Sequence, residues 1–247
     1  MRYLILSDIH GNLEALRACL ADARSRGFDR TLVLGDLVGY GADPNAVVDD
    51  VLALEPAAVV RGNHDKVAIG LDQANGFNAA ARSAAQWMLD TLTPQHRMWL
   101  TELPAGPTLV DDLVEICHGS PVDEDAYIFD ETDALMAFQV TERPLCLFGH
   151  THHPIVFQLS DGVLDSAGSA REPEARLSLK AGAKYLVNPG SVGQPRDGDS
   201  RAAYAIVDTD ARHIDFFRIQ YDIEAAQRKI IDAGLPEGLA RRLASGR

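Results

Sequence analysis

The chain has 247 residues, 46% of them hydrophobic and 24% charged, a composition that supports a packed core and excludes disorder as the main state. Asp and Glu number 36 against 23 Lys and Arg, and the formal charge of −13 repels a phosphate backbone at long range, which excludes general nucleic-acid binding. A site that handles phosphate must therefore make its own local positive charge.

Tyr3–Leu6 is an uninterrupted apolar run, as expected of a strand buried on both faces. Asn12 precedes a helical face of Leu13, Leu16, Leu20 and Ala23, with Gly27 placed to end it. Thr31–Leu34 reads as a second strand, Pro44–Leu54 as a helix with Pro in its first turn, and Ala57–Val60 as a third strand. This alternation predicts a parallel sheet with right-handed crossovers. Phe77, Ala81, Ala84 and Met88 form one stripe of a further helix, and Thr93-Pro94 starts another. Strands come next at Thr108–Val110, Val114–Cys117, Leu145–Phe148, Ile155–Leu159, Tyr185–Val187, Ala202–Val207 and His213–Ile219, spaced closely enough to include antiparallel hairpins. Residues 160–175, polar and rich in Gly, Ser and Glu, are expected to form a mobile loop. Asp222 caps a last helix carrying Ile223, Ala226, Ile230 and Ile231 and ending at Gly234. With no internal repeat and no linker, residues 1–247 are read as a single domain.

Cys19, Cys117 and Cys146 provide neither a CxxC pair nor a disulfide framework, which favours a reducing setting. Tyr3–Leu6 is too short for the apolar part of a signal peptide. No apolar run approaches the roughly 18 residues that span a bilayer. The expectation is a cytoplasmic protein with no membrane association.

The chemistry lies at the carboxyl ends of the strands. Leu6 leads into Ser7-Asp8-Ile9-His10, Leu34 into Gly35-Asp36, and Val60 into Arg61-Gly62-Asn63-His64-Asp65. Cys117 leads into His118-Gly119, and Phe148 into Gly149-His150-Thr151-His152. In an α/β sheet such strand ends lie along one edge, where ligands bind. These segments therefore bring Asp8, His10, Asp36, Asn63, His118, His150 and His152 to a common rim. Taken singly, each has an ordinary structural explanation: Asp8 caps a helix, Asp36 makes a turn, His118 is a core imidazole bonded to backbone. Asn63-His64 and His150-Thr151-His152 stand directly after apolar runs and in company with the other three segments, and that conjunction points to chemistry. Carboxylate and imidazole donors without thiolate suit Mn, Fe, Zn or Co. So many donors exceed one four-coordinate ion and fit two ions about 3.5–4 Å apart, with the two-oxygen carboxylate of Asp36 as the natural bridge. Two divalent cations, less the charges of Asp8, Asp36 and one bridging hydroxide, leave about +1, an attractive pocket for phosphate.

In order and spacing, Asp8-x-His10, Gly35-Asp36, Gly62-Asn63-His64-Asp65, His118 and Gly149-His150-x-His152 resemble the calcineurin-like metallophosphoesterase superfamily. The stretch Asn188-Pro189-Gly190-Ser191-Val192-Gly193 is similar to its small bacterial branch. The resemblance implies an α/β fold, a four-layer α/β/β/α sandwich of two mixed sheets flanked by helices. It implies one metal on Asp8, His10, Asp36 and His152, and a second on Asp36, Asn63, His118 and His150. Manganese or iron lead, with zinc, cobalt and nickel as the other candidates. It further implies in-line attack by a metal-bridging hydroxide, with His64 as general acid toward the leaving group. A nucleotide or dinucleoside polyphosphate is the expected substrate, making the protein a phosphodiesterase. Phosphoprotein phosphatase or phosphomonoesterase activity is the alternative, and a non-catalytic protein-binding scaffold of the same fold is the alternative of another class. The phosphoprotein phosphatases carry Asp-Arg in the second motif where this chain has Gly39-Tyr40, which weakens that alternative and leaves His64 without an identified partner. Asn12 is a substrate contact or an N-cap, and Arg196 holds a second phosphate or is solvated. Tyr40, Asn75 and Phe77 are candidates for a nucleobase pocket, with a core position the preferred reading of Phe77 because it heads an apolar helical stripe. Asn188–Ser191 is read as a tight turn closing on the site, and His153 as a structural neighbour.

Overall fold

The computed structural model describes residues 1–168 and 172–247. Its first third alternates as the sequence predicts: β1 (Arg2–Leu6), α1 (Leu13–Arg26), β2 (Arg30–Val33), α2 (Pro44–Leu52) and β3 (Ala58–Val59), with the three strands paired in parallel. Helices α3 (Asn63–Ala68), α4 (Ala79–Thr91) and α5 (Pro94–Glu102) come after them. Next are β4 (Thr108–Leu109), β5 (Val114–Ile116), α6 (Glu131–Phe138) and β6 (Leu145–Leu147). The chain continues through β7 (Ile155–Ser160), β8 (Val163–Gly168), β9 (Glu174–Ser178), β10 (Lys184–Asn188), β11 (Ala202–Asp208) and β12 (His213–Ile219). It closes with α7 (Ile223–Asp232) and α8 (Glu237–Ser245). Side-chain oxygens of Asn12, Asn78, Thr93 and Asp222 accept backbone N–H groups at the starts of α1, α4, α5 and α7, satisfying donors that a helix leaves orphaned.

The strands form two six-stranded mixed sheets, ordered β3-β2-β1-β11-β12-β9 and β4-β5-β6-β10-β7-β8. Alternation along β1 explains the layering. Leu4 and Leu6 pack with Leu16, Leu20 and Val47 under the first helical layer, whereas Tyr3 and Ile5 face Ile116, Leu145 and Val187 of the other sheet. On the far side of the second sheet, Cys146, Phe148 and Phe157 pack against Ala134 and Phe138 of α6. The result is the expected α/β/β/α sandwich, and it stacks the carboxyl ends of β1–β3 beside those of β5 and β6. Among the described residues, no helix is long and apolar enough to cross a membrane.

Three expectations need correction. Residues 160–175 are largely strand: β7 and β8 make an antiparallel hairpin through Asp161-Gly162, both at positive φ (51° and 78°), and β9 starts at Glu174. Asp-Gly between alternating residues is a strong hairpin signal, and polar composition masked it because this edge hairpin is wet on one face. Residues 169–171 of that predicted loop lie outside the described residues. Phe77 is not on a helix, since Asn78 caps α4; it packs against the clusters of Ala81 and Ala84 and of Val67 and Ala85, and its ring also meets that of His64. Beyond Gly234 a second helix, α8, forms and packs on α7. The Cys117 and Cys146 thiols, distant in sequence, lie 3.8 Å apart and buried at the ends of neighbouring strands.

Candidate active site

The facing sheets bring their strand ends into one buried rim. Asp8, His10, Asp36 and His152 form one group of donors, and Asp36, His118 and His150 a second, with the donor atoms of each group within 4.8 Å of one another. Asp36 belongs to both: its Oδ2 lies 3.5 Å from His10 Nε2 and 3.5 Å from His118 Nε2. Asp8 Oδ1 lies 3.3 Å from His152 Nε2.

Backbone carbonyls fix the tautomers of these imidazoles. His10 Nδ1 faces the Val38 oxygen at 3.2 Å, His118 Nδ1 that of Leu34 at 2.7 Å, and His152 Nδ1 that of Gln194 at 2.6 Å. His150 uses its other nitrogen, Nε2, toward the Asp125 oxygen at 3.1 Å. A carbonyl oxygen only accepts, so each of these nitrogens carries the ring proton and the opposite nitrogen presents a lone pair. The lone pairs meet: His10 Nε2 is 3.1 Å from His152 Nε2, and His118 Nε2 is 3.1 Å from His150 Nδ1. Facing lone pairs repel at that distance, and a cation near both replaces the repulsion with two attractions. Asn63 Oδ1 is likewise buried with no hydrogen-bond partner among the described residues. Burial lowers His150 to about 2 and holds His10 and His152 well below the ordinary imidazole value. It pushes the Asp8 carboxyl up to about 7 and Asp36 well above the usual range. His10, His150 and His152 are therefore neutral, as ligands must be, and nearby cations would restore the carboxylates. Nitrogen and oxygen donors without thiolate fit two borderline divalent ions.

The backbone here is held in an uncommon conformation. Asp8, His10, Asp36, His150 and His152 all have positive φ, between 51° and 67°. Such strain persists only where surrounding bonds over-determine it. The His10 N–H donates to the Asp36 carbonyl (2.9 Å), and the Gly11 N–H to that of Leu37 (2.9 Å). The buried Asp65 carboxylate accepts from the N–H groups of Val38 (3.1 Å) and Gly62 (2.9 Å), tying two of the strand-end loops together. The Asn188–Ser191 segment closes on the rim: Ser191 Oγ donates to the Asp8 carbonyl (2.8 Å) and Asn188 Nδ2 to that of Gly149 (2.7 Å). Gly62 is required by close approach, since a Cβ there would run into the Asp36 carboxylate.

His64 heads α3, and its N–H donates to Asp36 Oδ1 at 2.8 Å. Its ring lies between those of Tyr40 (4.3 Å between centroids) and Phe77 (4.4 Å), and edge-on to His10 (4.9 Å). Nδ1 is buried with no hydrogen-bond partner among the described residues. The partner that the sequence does not identify is thus replaced by packing, and Gly39 makes room for it: a Cβ there would stand 2.6 Å from His64 Nδ1. The metal rim opens into a pocket of about 420 Å³ whose walls include Tyr40, Asn75, Phe77, Tyr127, Arg196 and Arg242. Tyr127 stacks on His150 (3.9 Å, 19°), and the exposed Phe129 stacks on Tyr127 (4.9 Å). Lys66, bonded to Asp125 (2.7 Å) and Glu124 (3.2 Å), anchors their loop beside α3.

Asn12 sits outside this pocket: its Oδ1 caps α1 and its Nδ2 donates to the Gly193 oxygen at 2.9 Å. Of the two readings of Asn12, the N-cap is the one its hydrogen bonds display. His153 bonds locally to the Thr151 carbonyl. Tyr127, Asp125 and Arg242 were missed. Tyr127 and Asp125 lie beyond the His118 strand in a loop with no motif of its own. Arg242 lies on a helix the hydrophobic pattern did not reveal.

A model of the calcineurin-like phosphoesterase superfamily domain matches residues 1–212. The chain is 36% identical over 248 residues to the uncharacterized protein MJ0912 of Methanocaldococcus jannaschii, covering 98% of this chain and 97% of that one. It is similar to the crystal structure of a metallophosphoesterase from Sphaerobacter thermophilus, at 39% identity and a TM-score of 0.87 over 100% of both chains. The hypothetical protein PH1004 of Pyrococcus horikoshii shares the fold, at 23% identity and a TM-score of 0.78 over 100% of this chain and 98% of that one. With the strand-end donors in the same order as the sequence motifs, the chain belongs to the calcineurin-like phosphoesterase superfamily and is a metal-dependent phosphoester hydrolase.

Proposed function

We propose that the protein is a dinuclear phosphodiesterase acting on a nucleotide or dinucleoside polyphosphate. The observation that carries this reading is the pair of imidazole lone-pair contacts, His10–His152 and His118–His150, placed on either side of one carboxylate, Asp36. One ion would be held by Asp8, His10, Asp36 and His152, the other by Asp36, Asn63, His118 and His150. When bound, the two ions supply a low-pKa water nucleophile and offset charge on the phosphoryl oxygens. Manganese or iron are the favoured metals for this donor set.

The chain's own residues do the rest. Asp36 orients His64 through its N–H, and the aromatic rings on both sides fix the imidazole plane. Burial and the positive charge of Arg196 hold His64 well below the ordinary imidazole value, so it rests neutral. A phosphoryl anion arriving beside it favours protonation, and His64 then donates its proton to the departing oxygen as general acid. Phe77 and the edge of Tyr127, whose two faces are covered by His150 and Phe129, support a flat nucleobase as part of the substrate. The unpartnered His64 Nδ1 weighs against a phosphoprotein phosphatase. Residues 1–247 act as one domain in this reading, because α8, beyond the matched region, lines the same pocket. Three buried free cysteines are consistent with a cytoplasmic setting.

Hydrolysis of bis-p-nitrophenyl phosphate and p-nitrophenyl phosphate, measured after metal stripping and after manganese restoration, tests the assignment. Diester cleavage that returns only with metal is expected. No turnover of either ester by protein carrying two metals would overturn it.

A further inference from the structure

Two arginines reach the pocket from segments that the metal rim does not use. Arg196 comes just after the turn at Ser191, and Arg242 projects from α8, the helix that packs Leu239 and Leu243 against α7 and Tyr40. Both guanidinium groups lie over the Tyr40 ring, Arg242 at 5.6 Å and Arg196 at 5.9 Å from its centroid. Tyr40 is itself buried, has φ 57°, and packs its ring on His64. The arginine pair therefore stands on the His64 side of the rim, where the leaving group departs.

This chain has 36 acidic residues, and several of its other arginines sit on side-chain carboxylates, as Arg61 does on Glu124 and Arg176 on Asp215. Arg196 bonds to neutral partners, Gln194 Oε1 at 3.2 Å and Tyr40 Oη at 3.4 Å, and Arg242 Nε donates to a main-chain oxygen of Arg247, residue 247 of 247, at 2.6 Å. Among the described residues, no Asp or Glu side chain forms an ion pair with either. A single cation would satisfy the face of Tyr40. The second adds like-charge repulsion and partial desolvation, which together lower the Arg242 pKa, burial first and Arg196 second. An anion shared by the two guanidinium groups removes both costs, and their planar forks match the oxygens of a phosphoryl group.

We propose that Arg196 and Arg242 form a second phosphate subsite, which binds a phosphoryl group on the leaving-group portion of the substrate. This rests on the phosphodiesterase reading and narrows it. The preferred substrate carries at least two phosphoryl groups, with the scissile phosphorus over Asp36 and the next group between the arginines. α8 thereby selects for chain length in the phosphate moiety, while the strand-end rim performs the hydrolysis.

Arg242→Gln and Arg196→Gln in the full chain test this with two readouts. With the manganese-loaded protein, kcat/KM is measured for diadenosine tetraphosphate and for bis-p-nitrophenyl phosphate, which has no second phosphate. Each variant is expected to lower the ratio of the two values by at least about tenfold, mostly through KM for the tetraphosphate. With the metal-free protein, calorimetric titration of inorganic pyrophosphate is expected to show affinity at least about tenfold weaker in each variant than in the parent. Arg242→Lys, which keeps the charge without the fork, should fall between. An unchanged substrate ratio, or pyrophosphate affinity equal in parent and variants, overturns the subsite. Absence of turnover for both esters in the manganese-loaded parent overturns the phosphodiesterase reading instead, and the titration still reports on the arginine pair.

Discussion

The rim and the pocket wall are built on different principles. The rim takes its donors from the ends of parallel strands in two sheets, with its imidazoles and carboxylates fixed by backbone hydrogen bonds and five residues at positive φ. The wall takes Phe77 and Tyr127 from loops and Arg196 and Arg242 from later segments, held by ring contacts, an ion-pair cluster and helix packing. The difference teaches where each task sits: chemistry on rigid strand ends, substrate choice on segments that vary without disturbing the sheets.

The largest expected effect comes from breaking the rim at its shared residue. Asp36→Ala should abolish binding of both ions, read by metal analysis after dialysis. It should cut diester turnover at least about a thousandfold, because several kcal/mol of charge stabilisation go with the ions. His64→Ala lies at the boundary of the two regions. It should keep both metals and lower kcat by about 10²–10⁴-fold, and a variant of full activity would remove the general-acid role. Gly39→Ala sharpens the boundary further. Its Cβ would meet His64 Nδ1 at 2.6 Å at φ 101°, so kcat should fall while metal content stays, with a stability loss of about 1–3 kcal/mol by denaturant unfolding. Tyr127→Ala, in the wall, should raise KM for a nucleotide ester several-fold, as expected from losing about 0.5–1.5 kcal/mol of edge contact with the base. The smallest effect is expected far from both regions: Gly162→Ala, at φ 78° in the exposed β7–β8 turn, should cost about 1 kcal/mol of stability and leave turnover unaltered.

The same division explains what could be read from the sequence. Asp8, His10, Asp36, Asn63, His64, His118, His150 and His152 were legible because each stands just beyond an apolar strand, where local pattern and chemistry coincide. The β-α-β-α-β start was legible from periodicity, and the two-sheet sandwich from the family resemblance. Arg242 was not, since the hydrophobic stripe of α8 is short and its pairing with Arg196 is a tertiary fact. Phe77 misled because Asn78, a cap residue, stands between it and the helical stripe it precedes. The β7–β8 hairpin was hidden by edge-strand polarity, although Asp161-Gly162 announced its turn. Gly39 was noticed only as a departure from the phosphatase pattern. Its physical reason, the close approach of the His64 ring, exists only in three dimensions.

The central claim is that Asp36 is shared by two metal ions. Diffraction from crystals grown with manganese, recorded where manganese scatters anomalously, tests it most directly. The account predicts two anomalous peaks about 3.5–4 Å apart on either side of the Asp36 carboxylate, one beside His10 and His152 and the other beside His118 and His150. A single peak, or peaks that leave Asp36 uncoordinated, would contradict it.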